Sequence, residues 1–145
     1  MSKTIFISSD HNANAARAYV VEMLVQWGYD VKDVGQPYDV KVDYPYEAAK
    51  VAQAVIHEEG SRGILMCGTG TGMLIMANRY PLVRAGLATD RATAKLMREH
   101  NDCNVLVMGQ WRTPLGQMDE IIKTFLDTPF QGGRHVVRIK MLEDL

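Results

Sequence analysis

Five short apolar runs, each closed by turn-forming residues, alternate along this chain with longer stretches of helical periodicity, and that alternation leaves few folds open. The runs occupy residues 4–8, 29–34, 63–66, 84–87 and 104–108; the helical stretches occupy roughly 13–27, 45–58, 72–79, 91–99 and 114–126. Strands that are apolar throughout are buried on both faces, the condition of a parallel sheet with helices on each side. In the first helical stretch Ala16, Val20, Met23, Leu24 and Trp27 share one face, and Gly28 follows where a C-terminal cap belongs. A length of 145 residues is enough for one well-buried core, and no repeat, low-complexity tract or linker marks a boundary. The expectation is a single α/β domain, 1–145, on a five-stranded parallel sheet.

Composition excludes several function classes. The formal net charge of −1 offers no basic surplus for a phosphate backbone, so no nucleic-acid partner is expected. The two cysteines, Cys67 and Cys103, form no CxxC pair and stand near no histidine cluster, which argues against a disulfide framework and a zinc site. No HxH, HExxH or spaced carboxylate cluster suggests any other metal. A reducing, cytoplasmic setting is the reading, with no secretion signal in "MSKTIFISSD" and no run long enough to span a membrane.

Open α/β sheets bind ligands beyond the carboxyl ends of their strands. There the chain places "SSDH", "CGTGTG", "TDR" and "GQWR". The second of these puts a thiol at the mouth of a glycine loop that leads into a helix, where backbone N–H groups suit an anion or a developing oxyanion. Met73 removes three familiar readings of such a loop. The Walker pattern needs Lys and Ser/Thr after its last glycine, the dinucleotide fingerprint needs a glycine at position 73, and a C-x5-R phosphatase loop needs an arginine there. What remains is a cysteine in an environment that favours thiolate, able to act as nucleophile or base, with Thr69 and Thr71 supplying hydroxyls. Cys103 lacks such a loop and reads as a small buried hydrophobe.

Among the histidines, His57 belongs to a solvated helix face beside Glu58 and Glu59, whereas His11 follows Asp10 at a strand end. His100, in the polar knot "REHNDCN", reads either as a helix cap or as a general acid–base. The tail "QGGRHVVRIKMLEDL" has no evident partner strand and reads as a segment that docks on something. Within it Arg134 and Arg138 would share a face if helical, spaced to clamp a phosphate or simply to face solvent.

Taken together, "SSDH", "VDYP", "RGILMCGTGTGM", "REHNDCNVLVMG" and "FQGGRH" resemble, in order and spacing from residue 3 to about 138, the ribose-5-phosphate isomerase B family, which includes galactose-6-phosphate isomerase subunits. The resemblance implies a three-layer α/β/α Rossmann-like fold and aldose–ketose isomerisation of a phosphorylated sugar without metal or cofactor. The simplest substrate is ribose 5-phosphate. The alternatives are another sugar phosphate of four to six carbons, or a silent sugar-phosphate-binding subunit. It also implies a homodimer, or dimer of dimers, with shared active sites, the tail from about 131 to 145 docking on the partner.

By the same resemblance Cys67 is the base, Thr69 shuttles protons, and the amides of Gly68, Gly70, Thr71 and Gly72 help hold the enediolate. His100 opens the sugar ring, Asp10 orients hydroxyls, and Asn101 binds the open chain. His11, Arg134 and Arg138 grip the phosphate, some of them from the neighbouring subunit. Family members without the cysteine carry glutamate where this chain has Met73, so this one is of the cysteine type. It departs from the family pattern at Asn12–Asn14, at Trp111–Arg112, where a tryptophan takes the arginine's place, and at Arg91–Ala92. All three bear on which sugar is taken.

Overall fold

The computed structural model describes residues 3–145. All five expected strands form: β1 (Thr4–Ser9), β2 (Asp30–Asp33), β3 (Arg62–Cys67), β4 (Ala85–Leu87) and β5 (Val105–Gly109). They pair in parallel in the order β2-β1-β3-β5-β4. Between and after them lie α1 (Asn14–Gln26), α2 (Tyr44–His57), α3 (Thr71–Ala77), α4 (Arg91–Glu99), α5 (Leu115–Asp127) and α6 (His135–Asp144).

Strand alternation divides the core into two layers. Ile5, Ile7, Ile64, Met66, Leu106 and Met108 face the layer built from α1, α4 and α5. Phe6, Leu65, Cys67, Val105 and Val107, the intervening residues, face α2 and α3. Each central strand is therefore apolar on both faces, as continuous rather than alternating hydrophobicity requires. The three-layer α/β/α fold is the one expected.

Local signals explain the boundaries. Gly28, at φ +89°, ends α1 in a left-handed conformation that costs any residue with a Cβ but not glycine. Asp90 starts α4 by accepting the Thr93 N–H at 2.7 Å, and this hydrogen bond holds its carboxyl below the usual range. The tail folds as helix α6 rather than as a strand. It joins neither core layer: His135 is buried, while Val136, Val137, Met141 and Leu142 are exposed.

Candidate active site

The chain passes from β1 to β2 on one side and then to β3 on the other, so the crevice between the carboxyl ends of β1 and β3 is a topological switch point. Asp10 follows β1 and Cys67 ends β3. The Asp10 N–H donates to the Met66 carbonyl at 3.2 Å, locking the two strand ends together. The Asp10 carboxylate is buried, accepting the Asn12 N–H at 3.0 Å and the Asn12 side-chain amide at 3.2 Å.

A cavity of about 240 Å³ opens at this crevice. Asp10, Asn12, Cys67 and Thr69 supply its polar wall, and Gly68, Gly72, Tyr44 and Trp111 complete it. The glycine loop is shaped around the sulfur. Gly70 takes φ +89°, which turns its N–H onto Cys67 Sγ at 3.1 Å. The Gly70 carbonyl accepts the first helical bond, from Leu74, so the amides of Thr71, Gly72 and Met73 precede the hydrogen-bonded ladder of α3. Thr71's amide is taken by the Thr69 hydroxyl at 3.3 Å, leaving those of Gly72 and Met73 as helix-terminus donors.

The segment after β5 pins this loop from the side. Gln110 N–H donates to the Cys67 carbonyl at 2.8 Å, and Trp111 N–H to that of Gly68 at 2.9 Å. Gly109 permits the approach, since a Cβ there would lie 2.5 Å from the Thr69 backbone. On the opposite side buried Glu47 of α2 accepts from Ser8 Oγ at 2.9 Å and from Gln36 N–H at 3.0 Å, fixing the start of α2 and with it Tyr44.

His11 lies on the same sheet edge, exposed, with Nδ1 3.1 Å from the Val42 carbonyl, and does not line the cavity. His100, Asn101 and Arg138 lie elsewhere. Helix α4 starts at the carboxyl edge and runs back for nine residues, about 13 Å, so its cap His100 stands at the opposite edge of the sheet. There the His100 ring stacks on that of His135, with centroids 4.6 Å apart and planes 18° apart. These two, with Asn101, Arg138, Ile139 and Leu142, line a second cavity of about 320 Å³. Arg134, at the start of α6, is exposed. One chain therefore brings together Asp10 and the residues of the 67–72 loop, and separately His100, Asn101 and Arg138.

Four contributors are not legible from sequence. Tyr44 stood in the "VDYP" motif but carried no assigned role. Asn12 and Trp111 stand in sequence only as departures from the family pattern, yet both line the cavity. His135 sits between the two arginines that drew attention in "GGRHVVR". Burial holds His135 below the ordinary histidine range, and Arg134, His100 and Arg138 push the same way. Cys103 is as inert as expected, its thiol pushed up to about 11 by burial. Among the described residues no three His, Cys, Asp or Glu side chains gather as metal ligands, and no helix is long and apolar enough to cross a membrane.

A thiol and a carboxylate at the switch point of a parallel sheet, with helix-terminus amides beside them, define an α/β enzyme that handles a small polar substrate. The Ribose/Galactose Isomerase family model matches residues 5–142, and the chain belongs to that family. It is 36% identical to ribose-5-phosphate isomerase B of Escherichia coli, over 97% of this chain and 94% of that one. The structure is similar to that of a ribose 5-phosphate isomerase from Thermotoga maritima, with a TM-score of 0.94 at 42% identity over 98% of both chains. Against ribose-5-phosphate isomerase B from Mycoplasma genitalium with bound ribulose-5-phosphate the TM-score is 0.93, at 35% identity over 97% of this chain and 94% of the other.

Proposed function

We propose that this protein interconverts an aldose phosphate and its ketose, most simply ribose 5-phosphate and ribulose 5-phosphate, through an enediolate. The observation that carries this is Cys67: a thiol at the switch point with the Gly70 amide on its sulfur at 3.1 Å, sharing a cavity with Asp10 and Thr69. Family membership and the ligand in the Mycoplasma genitalium structure support the choice of chemistry and sugar.

In the aldose direction Cys67 thiolate takes the proton from C2, and the C–H electrons form the C1=C2 bond of the enediolate. The charge gathers on O1, where the amides of the 68–72 loop hold it, with Gly68 and Gly72 lining the cavity. Thr69 passes a proton between O1 and O2. Cys67 then returns its proton to C1, leaving the ketose carbonyl at C2. Asp10, held rigid by Asn12, accepts from sugar hydroxyls.

Ring opening needs an acid–base group within about 3 Å of the ring oxygen or anomeric hydroxyl, and His100 of the same chain stands at the other sheet edge. His100, Asn101, Arg134 and Arg138 accordingly serve the site of a second copy. The exposed, partly apolar helix α6 docks on that copy, and His11 meets the phosphate from the Cys67 side. The unit that works is a dimer with shared sites.

Replacing Cys67 with Ala should lower kcat by about 10²–10⁴-fold while leaving substrate affinity near normal, because the group acts in proton transfer. Iodoacetamide should label Cys67 and not Cys103, and substrate should slow the labelling. High turnover in Cys67→Ala would refute the assignment.

A further inference from the structure

We propose that Trp111 determines which sugar phosphates the site accepts, by offering its indole face to the C–H face of the substrate's carbon chain. The inference rests on the isomerase reading above and deepens it.

Trp111 is 66% exposed. A large apolar ring held at a cavity mouth in this way is poorly explained by folding. Its position is nonetheless defined. The main chain is tied to Gly68, and the six-membered ring lies against the same glycine, so closely that a Cβ there would sit 2.7 Å from Cε3 and Cζ3. Gly68 directly follows Cys67, which places the ring beside the reacting carbons. At the other end of the loop Tyr44 packs in the same manner on Gly72, where a Cβ would fall 2.5 Å from its ring.

The cavity thus combines two aromatic walls with the polar groups of Asp10, Asn12 and Thr69. That is the chemistry of a sugar site, with apolar C–H faces against rings and hydroxyls against polar atoms. An uncharged indole offers nothing to a phosphate, so the phosphate end points away from Trp111 and the first carbons lie along it. The ring also limits width, in a cavity of about 240 Å³, and thereby disfavours a longer carbon chain.

Two measurements test this. The chain has two tryptophans, and Trp27 caps the far end of α1 at the opposite sheet edge. In a Cys67→Ala background, ribose 5-phosphate should quench tryptophan emission, and Trp111→Phe should abolish the quench while binding measured by calorimetry persists. In the active enzyme, Trp111→Ala should raise KM about tenfold with kcat changed less than about threefold, and shrink the five- over six-carbon preference in kcat/KM by about fivefold or more. Trp111→Tyr should restore most of both. An unchanged KM and preference in Trp111→Ala, or a quench that survives in Trp111→Phe, would overturn the role. A wild-type chain that binds and quenches but turns over no sugar phosphate would refute the isomerase reading alone.

Discussion

Subunit complementation addresses the shared site directly. Within one chain His100 is separated from the 67–72 loop by the nine-residue length of α4, about 13 Å. The five residues of β5 span a similar distance, about 16 Å, back toward the loop. Neither gap is compatible with contact to the same reacting carbons, and the shared-site reading proposed above assigns the second cluster to a site on another copy. On that reading Arg138, which lines the second cavity, and Arg134, exposed at the start of α6, both meet the phosphate, and each charge-assisted contact contributes about 1.5–3 kcal/mol. The double variant Arg134→Ala/Arg138→Ala should therefore lose about 10²–10⁴-fold in kcat/KM. Cys67→Ala is disabled independently. Equal amounts of the two, mixed and allowed to exchange, give half mixed dimers, each with one site carrying both lesions and one carrying neither. Activity should return to about one quarter of wild type per total protein, far above either parent. A coupled assay for ketose formation reads it, and mass spectrometry of intact dimers confirms exchange. A mixture that has exchanged and stays inactive would refute the argument from α4 and place both clusters' functions in one chain.

Gly70→Ala should lower Tm by about 3–8 °C, from left-handed backbone strain of about 1–2 kcal/mol. A Cβ there would also meet Leu87 Cδ1 at 2.6 Å. The variant should reduce kcat as well, because the amide on Cys67 Sγ moves; unchanged turnover would separate that hydrogen bond from catalysis. His100→Asn should slow single-turnover reaction from the cyclic aldose at a step before proton transfer, yet leave enediolate formation from the open ketose nearly normal; equal slowing of that step from both sides would contradict a ring-opening role. His135 is held below its unfolded value of about 6.5, so as pH falls below that value the unfolded chain takes up a proton that the folded chain resists. Stability should be complete above that window and decline as pH drops through it. His135→Gln should flatten the slope of urea midpoints between pH 7 and 5, and an unaltered slope would remove His135 as its source.

Much of this molecule is legible in the order of its residues. Continuous apolar runs such as "TIFIS" and "ILM" can be buried only between two helix layers, so the parallel sheet and its two-sided core follow from local pattern. The glycine loop is legible too, because Gly70 and Gly109 stand where a positive φ or a close backbone approach leaves no room for a side chain. Cys67 acquires its meaning from that neighbourhood. The loop is contiguous, so sequence spacing and spatial spacing agree.

Strand order is different. That β5 inserts between β3 and β4, carrying Gln110 and Trp111 onto the loop after β3, depends on pairings between residues some forty positions apart, such as Cys67 with Gly109. No local periodicity encodes such a partner, so Trp111 as a wall of the cavity was invisible until the sheet closed. The stacking of His100 on His135 likewise joins α4 to α6 across 35 positions, and burial there, not residue type, depresses the titration of His135. Short-range signals determine which elements form and what chemistry each loop can offer. Long-range packing alone decides which loops meet, because the free energy that selects one pairing over another is released only when distant apolar surfaces are buried together.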